Sequence, residues 1–288
     1  FNRSRQNYKV QNFSQKLILA KKYGDFIYKG SEFCEDFGQK NFYYTSSIMN
    51  CIYNCRYCYL KGLYDSSNIV IFVNIDDFID EAQKLAEKEN IYLCISYDSD
   101  LLSFEGITGF ISKWIDFAKK NKNVTIELRT KCPNVDPILK SDIPENMILS
   151  FSILPDEIIN IYEERTPMLE ERINAILKSI KKKNKVRLCI EPLIKVKNFK
   201  NIYSNFIDYI FSKIKSEDIR EICIGCFRMS SVQFKKIEKI EPYSPVFSYM
   251  FKVENGSVSY YDEKELIDFV KKYIGRYIEP QKIFVKYV

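Results

Sequence analysis

The chain has 288 residues, 46% hydrophobic and 28% charged; this globular composition excludes disordered and low-complexity proteins. It carries 44 Lys and Arg against 38 Asp and Glu, and the net charge of +6 permits an anionic partner without requiring one. It contains no histidine, which excludes Ser-His-Asp triads, Cys-His dyads and histidine-ligated zinc or haem.

Nine cysteines occur, at positions 34, 51, 55, 58, 94, 132, 189, 223 and 226. No stretch is apolar for long enough to span a bilayer, and residues 1–10 lack the apolar core of a signal peptide. An odd number of cysteines without a secretion signal favours a cytoplasmic location, where thiols stay reduced. Clustered cysteines are then candidates for metal binding or catalysis.

The predicted elements follow an N-terminal extension, residues 1–41, that shows little periodicity. From residue 42, short β-rich runs alternate with amphipathic helices. The predicted strands are residues 42–48, 91–96, 124–131, 147–154, 186–194 and 219–227. The predicted helices are residues 77–88, 107–120, 167–183, 201–215 and 263–273. Thr166 is expected to cap the helix that starts at Pro167, and residues 246–261 are expected to form a hairpin around Asn255-Gly256.

This alternation predicts an α/β fold, a partial (β/α)6 TIM-like barrel. Six units are fewer than the eight of a complete barrel, and a doubly wound sheet is the alternative. We expect three regions: the N-terminal extension (1–41), the barrel (42–235), and a C-terminal hairpin and helix packed on the barrel (236–288).

Polar residues alternate along one face of several predicted strands, near their C-terminal ends. They are Cys94 and Ser96; Glu127, Arg129 and Lys131; Ser150 and Ser152; Arg187, Cys189 and Glu191; and Cys226 and Arg228. Barrels carry their active sites at the C-terminal ends of the strands, so we expect these side chains to line a polar cavity there. If the strands face solvent instead, the same pattern describes a hydrated surface.

The strongest motif is CIYNCRYC, in which Cys51, Cys55 and Cys58 follow the first predicted strand. A [4Fe–4S] cluster normally takes four cysteines, so three thiolates in one loop leave one iron open for another ligand. Zinc takes four ligands, usually in two pairs, and only an isolated cysteine such as Cys34 is available as a fourth. Cysteines that bind no metal and pack in the core are the remaining alternative.

This Cys-x3-Cys-x2-Cys motif, with the aromatic Tyr57 before its last cysteine, resembles that of the radical S-adenosylmethionine enzymes. In that superfamily the methionine amino and carboxylate groups of S-adenosylmethionine chelate the open iron, and the aromatic residue lies beside the adenine. The resemblance implies two cofactors, a [4Fe–4S] cluster and S-adenosylmethionine.

The segments around the motif resemble those of one family in the superfamily, the spore photoproduct lyases. Each is short, but they occur in the family's order over residues 42–235. They are Cys58-Tyr59-Leu60, residues 71–76 (IFVNID), Arg129-Thr130-Lys131, residues 135–139 (VDPIL), Phe151-Ser152-Ile153, Thr166-Pro167, Glu191-Pro192-Leu193-Ile194 and Phe227-Arg228.

The resemblance implies which residues bind the cofactors. The implied cluster ligands are Cys51, Cys55 and Cys58. The implied contacts to S-adenosylmethionine are Ser96, Lys131 and Ser152, with Tyr57 beside the adenine. For Lys131, an ion pair with Glu127 or Asp136 is the alternative.

The resemblance also implies the residues that move a hydrogen atom. Cys94 matches the cysteine that donates a hydrogen atom to the product radical, and Tyr57 and Tyr59 match tyrosines that relay it back to the cofactor. A free cysteine is often a small buried apolar residue, which is the alternative for Cys94. Cys132 and Cys226 are alternative donors near the same strand ends.

The implied reaction is a carbon–carbon bond cleavage that reverses a thymine dimer in DNA. The reduced cluster gives one electron to the sulfonium of S-adenosylmethionine, and a 5′-deoxyadenosyl radical forms. In the lyases this radical takes a hydrogen atom from C6 of the dimer, the methylene bridge breaks, and a thiol with its weak S–H bond quenches the product radical. The expected partners are dimer-containing DNA and a one-electron reductant such as flavodoxin or ferredoxin, with no membrane.

The predicted hairpin departs from the family pattern on the substrate side. The lyases carry basic and aromatic residues at its tip, whereas here Glu254 repels phosphates and Asn255-Gly256 offers no wedge. Tyr260 and Tyr261 follow the turn and can either stack on a base or pack on the last helix. Two alternatives therefore stay open: a related enzyme that acts on a modified nucleoside or a peptide, and a non-catalytic iron–sulfur or zinc protein.

Overall fold

The computed structural model describes residues 8–31 and 34–287. Its strands are β1 (Leu17–Ala20), β2 (Ile27–Lys29), β3 (Phe42–Thr45), β4 (Ile48–Met49), β5 (Asn54–Cys55), β6 (Ile69–Phe72), β7 (Ile91–Cys94), β8 (Val124–Thr130), β9 (Met147–Ser152), β10 (Glu163–Glu164), β11 (Val186–Leu193), β12 (Ile219–Cys226), β13 (Arg228–Ser230), β14 (Phe251–Glu254), β15 (Ser257–Tyr260) and β16 (Ile283–Lys286). Its α-helices are α1 (Tyr8–Phe13), α2 (Leu60–Leu63), α3 (Ile75–Ala86), α4 (Glu105–Thr108), α5 (Phe110–Lys120), α6 (Asp156–Tyr162), α7 (Leu169–Lys181), α8 (Phe199–Lys213), α9 (Ser231–Ile240) and α10 (Glu263–Ile274).

The main sheet has eight strands in the order β16-β12-β11-β9-β8-β7-β3-β2. Neighbours from β3 to β16 are parallel, and β2 is antiparallel to β3. The six predicted strands correspond to β3, β7, β8, β9, β11 and β12 and are confirmed. They lie side by side in chain order, whereas a doubly wound sheet reverses its order at a switch point, so that alternative is wrong. Among the described residues β2 and β16 form no ladder with each other, which leaves the barrel open.

Alternation along the central strands separates an apolar outer face from a polar inner face. In β8, Ile126 and Leu128 belong to the main hydrophobic core, together with Trp114 of α5. Glu127 and Arg129 on the opposite face line a cavity inside the barrel. The outer core therefore positions the polar side chains of the inner face.

The N-terminal region is more regular than expected. Helix α1 is followed by β1, which pairs in parallel with β6, and by β2, which extends the main sheet. The expectation of an irregular extension is thus wrong for residues 8–29, while residues 1–7 lie outside the described part of the chain. These elements are only three to six residues long, too short to show a period in the sequence.

The predicted helices are present with ends that differ by up to two residues, and two features of them are wrong. The helix expected at 107–120 is divided into α4 and α5 at Gly109, whose φ of 62° is left-handed. Thr166 is also wrong as the expected cap of the helix predicted at 167–183, because that helix, α7, begins at Leu169 with Met168 at its N-cap. The Thr166 hydroxyl instead donates to the carbonyl oxygen of Glu163, 2.9 Å away, and so holds the preceding turn.

The predicted C-terminal hairpin is confirmed as β14 and β15, joined at Asn255 and Gly256, which both have positive φ. Strand β13, which the sequence analysis missed, pairs with β15 and joins the hairpin to the cavity rim. Tyr260 is buried, with its ring centre 5.0 Å from that of Phe251, whereas Tyr261 is 72% exposed. No helix in the described residues is long and apolar enough to cross a membrane.

Candidate active site

A cavity of about 490 Å³ opens at the C-terminal ends of the barrel strands. Every residue to which the sequence analysis assigned a role lines it: Cys51, Cys55, Tyr57, Cys58, Tyr59, Cys94, Ser96, Lys131 and Ser152. The expectation of a cavity at this end of the barrel is confirmed for nine of the twelve polar strand residues, so a hydrated outer surface is the wrong interpretation of the strand pattern. It is wrong for Ser150, Arg187 and Cys189, which are buried and are not among the lining residues.

The cysteine loop is held from several sides. Asn50, at the end of β4, has a left-handed φ of 64°, and its side chain donates to two carbonyl groups of the segment that returns from α2. Gln15 donates to the carbonyl oxygen of Cys51, 3.2 Å away. Cys55 lies in β5, which pairs with β10 at Glu163. The loop is therefore fixed by the N-terminal segment and by the second half of the barrel.

The donor set of this loop fits an iron–sulfur cluster better than zinc. Cys51, Cys55 and Cys58 are free thiols that line one cavity. Burial, and next the Asp100 carboxylate, raise the pKa of Cys51 to about 12. Forming the thiolate therefore costs free energy, which binding to cationic iron offsets. Among the described residues no three His, Cys, Asp or Glu side chains are arranged to hold a single metal ion. A cluster spreads three thiolates over three irons, which suits this loop.

Lys131 reaches the cavity from the end of β8. Its Nζ lies 3.7 Å from Glu163 Oε1 and 6.0 Å from the ring centre of Tyr57. The ion-pair partners suggested by the sequence are wrong, because Glu127 pairs with arginines and Asp136 pairs with Lys178. The ammonium therefore lies beside the cysteine loop.

Glu163 organises this side of the cavity and was missed in the sequence. Its buried carboxylate accepts hydrogen bonds from the Tyr57 hydroxyl and from Arg172. Burial alone would raise the pKa of Glu163, but Lys131 and Arg172 outweigh burial and lower it. In the sequence Glu163 is one charge among several in a polar turn, and nothing marks it as buried.

The hydroxyl of Tyr59 is bound on the opposite side of the loop. It donates to the carbonyl oxygen of Tyr97 at 2.8 Å and to Asp98 Oδ1 at 3.1 Å. The Asp98 carboxylate also accepts a hydrogen bond from Tyr64. Cys34 Sγ lies 3.5 Å from the Tyr97 hydroxyl, so a further thiol faces this part of the cavity. The sequence analysis assigned no role to Tyr97 or Asp98; the two acidic residues that follow Cys94 within residues 95–100 are the signal that could have located them.

Cys94 is buried at the end of β7 and lines the cavity. Burial, and next the Glu127 carboxylate, raise the pKa of its thiol well above the ordinary value. Of the two alternative donors, Cys226 also lines the cavity, whereas Cys132 is not among its lining residues. Burial thus favours the protonated thiol, which lines the same cavity as the motif cysteines.

Comparison with known proteins assigns the family. A protein-family model described as spore photoproduct lyase matches residues 41–244. This chain belongs to the spore photoproduct lyase family. The spore photoproduct lyase of Clostridium acetobutylicum is 25% identical over 259 residues, which cover 85% of this chain and 76% of that protein.

Solved structures match the fold. A spore photoproduct lyase mutant with bound AdoMet and dinucleoside spore photoproduct superposes with a TM-score of 0.80 at 22% identity, over 94% of this chain and 82% of that chain. The radical S-adenosylmethionine methyltransferase TsrM from Kitasatospora setae has a TM-score of 0.54 at 10% identity, over 86% and 54% of the two chains. This member of the spore photoproduct lyase family therefore has the partial barrel of the radical S-adenosylmethionine superfamily.

The lyase-family barrel carries a charged network on its inner face. Arg129 and Arg187 both pair with Glu127, at 3.2 and 3.0 Å. Arg129 also pairs with Glu191 at 3.0 Å, and Glu191 pairs with Arg228. Burial alone would raise the pKa of Glu127, but Arg129 and Arg187 lower it to about 2. The sequence analysis placed all of these charges in the cavity, which is correct except for Arg187, and it did not predict their pairing.

Proposed function

We propose that this protein is a radical S-adenosylmethionine lyase that reverses the spore photoproduct, a thymine dimer, in DNA. One observation carries the proposal: the three motif cysteines, the implied cofactor contacts and Cys94 line a single cavity. The family match covers the barrel that builds this cavity.

Cys51, Cys55 and Cys58 would hold a [4Fe–4S] cluster. When bound and reduced, the cluster would supply the one electron needed to cleave S-adenosylmethionine into methionine and a 5′-deoxyadenosyl radical. Three cysteine ligands leave one iron to the methionine group of the cofactor. Ser96, Lys131 and Ser152 would contact that cofactor.

Lys131 and Tyr57 would orient the cofactor from the Glu163 side. Glu163 holds the Tyr57 hydroxyl and draws the Lys131 ammonium toward the loop. An ammonium at this position is suited to a carboxylate of the cofactor, and the aromatic ring to a flat base. Arg172 keeps Glu163 charged when Lys131 turns to the cofactor.

Cys94 would end the reaction by giving its hydrogen atom to the product radical. Its S–H bond breaks homolytically, a C–H bond forms on the thymine, and the sulfur keeps one unpaired electron. Tyr59 and Tyr57 flank the last cysteine of the motif and would return a hydrogen atom to the cofactor. Tyr59 has Asp98 as a ready acceptor for its phenolic proton.

The proposed partners are DNA that contains the dimer and a one-electron reductant such as flavodoxin or ferredoxin. A DNA substrate supports a cytoplasmic location. A second candidate, a relative with another substrate such as a modified nucleoside or a peptide, is favoured by the acidic hairpin tip at Glu254, which has no basic or wedge residue.

An anaerobic assay tests the proposal. The protein is reconstituted with iron and sulfide, mixed with dithionite, S-adenosylmethionine and dinucleotide spore photoproduct, and analysed by chromatography. We expect 5′-deoxyadenosine and repaired thymidylyl-thymidine. The Cys51→Ala variant should lose the visible absorption of the cluster and both products together. 5′-Deoxyadenosine without repair would favour another substrate, and neither product from a protein with a verified cluster would favour a non-catalytic role.

A further inference from the structure

Three charged side chains form a row on the cavity wall, the Arg-Glu-Arg row (Arg129, Glu191 and Arg228). Arg129 Nη1 lies 3.0 Å from Glu191 Oε2, and Arg228 Nη2 donates to Glu191 Oε1. All three residues line the cavity. From one end to the other, the row presents a hydrogen-bond donor, an acceptor and a second donor.

The row has hydrogen-bonding capacity beyond its internal ion pairs. A guanidinium carries five N–H groups, and a carboxylate has about four acceptor positions. Arg129 uses its three nitrogens toward Glu127 and Glu191, and each Nη atom carries a second N–H. The side chains of Arg129, Glu191 and Arg228 are 28%, 13% and 6% exposed, and Arg228 Nη1 also donates to the carbonyl oxygen of Cys226, 3.2 Å away. A ligand in the cavity can therefore bond to the row.

The surrounding residues hold the row in place. Ser96 Oγ accepts a hydrogen bond from the Arg129 backbone nitrogen at 2.7 Å. A Cβ at Gly225 would collide with Arg228 and with the Glu191 carboxylate, so the absence of a side chain there lets the pair form. Burying three charges is costly, and an apolar wall is often as stable, so a function in binding accounts for the row.

The imide edge of thymine is the complement of this pattern. Its O4, N3–H and O2 present an acceptor, a donor and a second acceptor, and a neutral ring brings no charge of its own. A phosphate would meet the Glu191 carboxylate between the two arginines, which disfavours it. Cytosine presents a donor (N4–H) and two acceptors (N3 and O2) along the same edge. Against the row, its donor would face a donor and its N3 acceptor would face the Glu191 acceptor.

We propose that the Arg-Glu-Arg row binds the imide edge of one thymine ring of the dimer, an inference that rests on the proposed function. Glu191 accepts the N3–H, and Arg129 and Arg228 donate to the two carbonyl oxygens. The ring is thereby selected by its hydrogen-bond pattern and held with its edge on β8, β11 and β13.

Dinucleotide spore photoproduct methylated at N3 of one ring or of the other tests this inference without altering the protein. The unmodified dinucleotide is measured first, and its failure to be repaired would count against the proposed function itself. With repair established, we expect methylation of one of the two rings to lower kcat/KM by about 10- to 100-fold, since hydrogen bonds to charged groups are lost. Repair of both methylated isomers at the unmodified rate overturns the inference.

Glu191→Gln separates loss of recognition from a steric effect of the methyl group. The neutral amide oxygen of glutamine accepts a weaker hydrogen bond than the carboxylate does, so we expect the cost of N3-methylation to fall to about threefold. Glu221→Gln is the matched control, because Glu221 is equally exposed (13%) and pairs with Arg187 but is not among the cavity-lining residues. It should keep the wild-type methylation cost. A cost that is unchanged in Glu191→Gln overturns the inference.

Discussion

Burial at the end of β7 favours the protonated form of the Cys94 thiol, which is the form that the proposed hydrogen-atom donor needs. The thiol lies in the cavity but is shielded from bulk water, and burial together with Glu127 disfavours its ionisation. A thiolate has no hydrogen atom to give, so the environment preserves the useful form. Cys189 in β11 is also buried, but it is not among the residues that line the cavity.

Replacing Cys94 by alanine should therefore separate the two halves of the reaction. We expect Cys94→Ala to form 5′-deoxyadenosine and to lose most of the repaired dinucleotide, with the product radical diverted to adducts. Chromatography and mass spectrometry of the products measure both. Cys189→Ala is the control and should yield repaired product; normal repair by Cys94→Ala would move the donor role to another cavity thiol, Cys226 or Cys34.

The raised pKa of Cys94 also predicts the pH dependence. An exposed thiol ionises near pH 8.5, whereas burial, and next Glu127, keep Cys94 protonated above that value. We expect the ratio of repaired dinucleotide to 5′-deoxyadenosine to stay constant from about pH 7 to about pH 9. The ratio, rather than the rate, is measured because it follows the fate of the product radical. A decline centred near the ordinary thiol pKa would show that the donor is exposed.

Glu163 illustrates the energetic weight of one buried charge. Its removal in Glu163→Gln leaves Arg172 buried without its carboxylate, so we expect the free energy of unfolding to fall by about 3–5 kcal/mol. Glu164→Gln is the matched control: Glu164 is 44% exposed and pairs with Arg56, and its loss should cost less than about 1 kcal/mol. Urea unfolding measures both, and equal losses would contradict the assigned role of Glu163.

Short elements position the site as much as the long ones do. The two-residue ladder between β5 and β10 fixes Cys55 against Glu163, and α2 lies against α9 because Gly62 has no side chain to clash with the Gln233 backbone. These contacts connect the cysteine loop to distant parts of the chain. Periodicity cannot reveal such elements because they span only about one period of a helix or strand pattern.

The C-terminal hairpin is the element where DNA binding is most easily altered. Glu254 at its tip pairs with Lys252 and places a negative charge beside the cavity rim. We expect Glu254→Lys to bind duplex DNA more tightly and to steepen the slope of log affinity against log salt by about 1, as measured by fluorescence anisotropy.

Glu279→Lys provides the control for this change. It makes the same change in net charge but lies before β16, at the end of the strands opposite to the cavity. Its effect on duplex binding should be smaller. Equal effects of the two substitutions would mean that net charge, rather than the hairpin, governs DNA binding.

At the scale of the whole molecule, the open barrel is bridged by Phe37. Its ring lies 6.0 Å from Tyr92 of β7 and 5.3 Å from Phe284 of β16, and the Arg187 guanidinium stacks 3.3 Å from it. Phe37 thus connects strands from opposite halves of the sheet. The pairing of edge strands that would close a complete barrel is replaced here by side-chain packing.

Phe37→Ala should accordingly destabilise the fold. Deleting a buried phenylalanine leaves a cavity, and we expect a loss of about 3–5 kcal/mol in the free energy of unfolding. Phe13→Ala, at a side chain that is 80% exposed, should change it by less than about 0.5 kcal/mol. Similar values for the two variants would refute the bridging role of Phe37.

The sequence by itself determined the strands of the barrel and the cysteine motif that indicates the family. Strand and helix periods are local patterns, and the three cysteines lie within eight residues, so no long-range contact is needed to recognise them. The alternation of polar residues also placed Cys94, Ser96 and Lys131 on the inner face correctly. The six predicted strands lie in the sheet in the same order as in the chain, so the architecture of such a barrel can be predicted from its strands.

Only the tertiary structure decided which charges meet. Lys131 pairs with Glu163, far along the chain, and Glu191 lies between Arg129 and Arg228 because of the register of β8 and β11 and the turn after β12. A shift of one residue in any of these strands would turn the side chains to the other face. Contacts of this kind depend on packing between distant segments, and a single sequence carries no local pattern that specifies them.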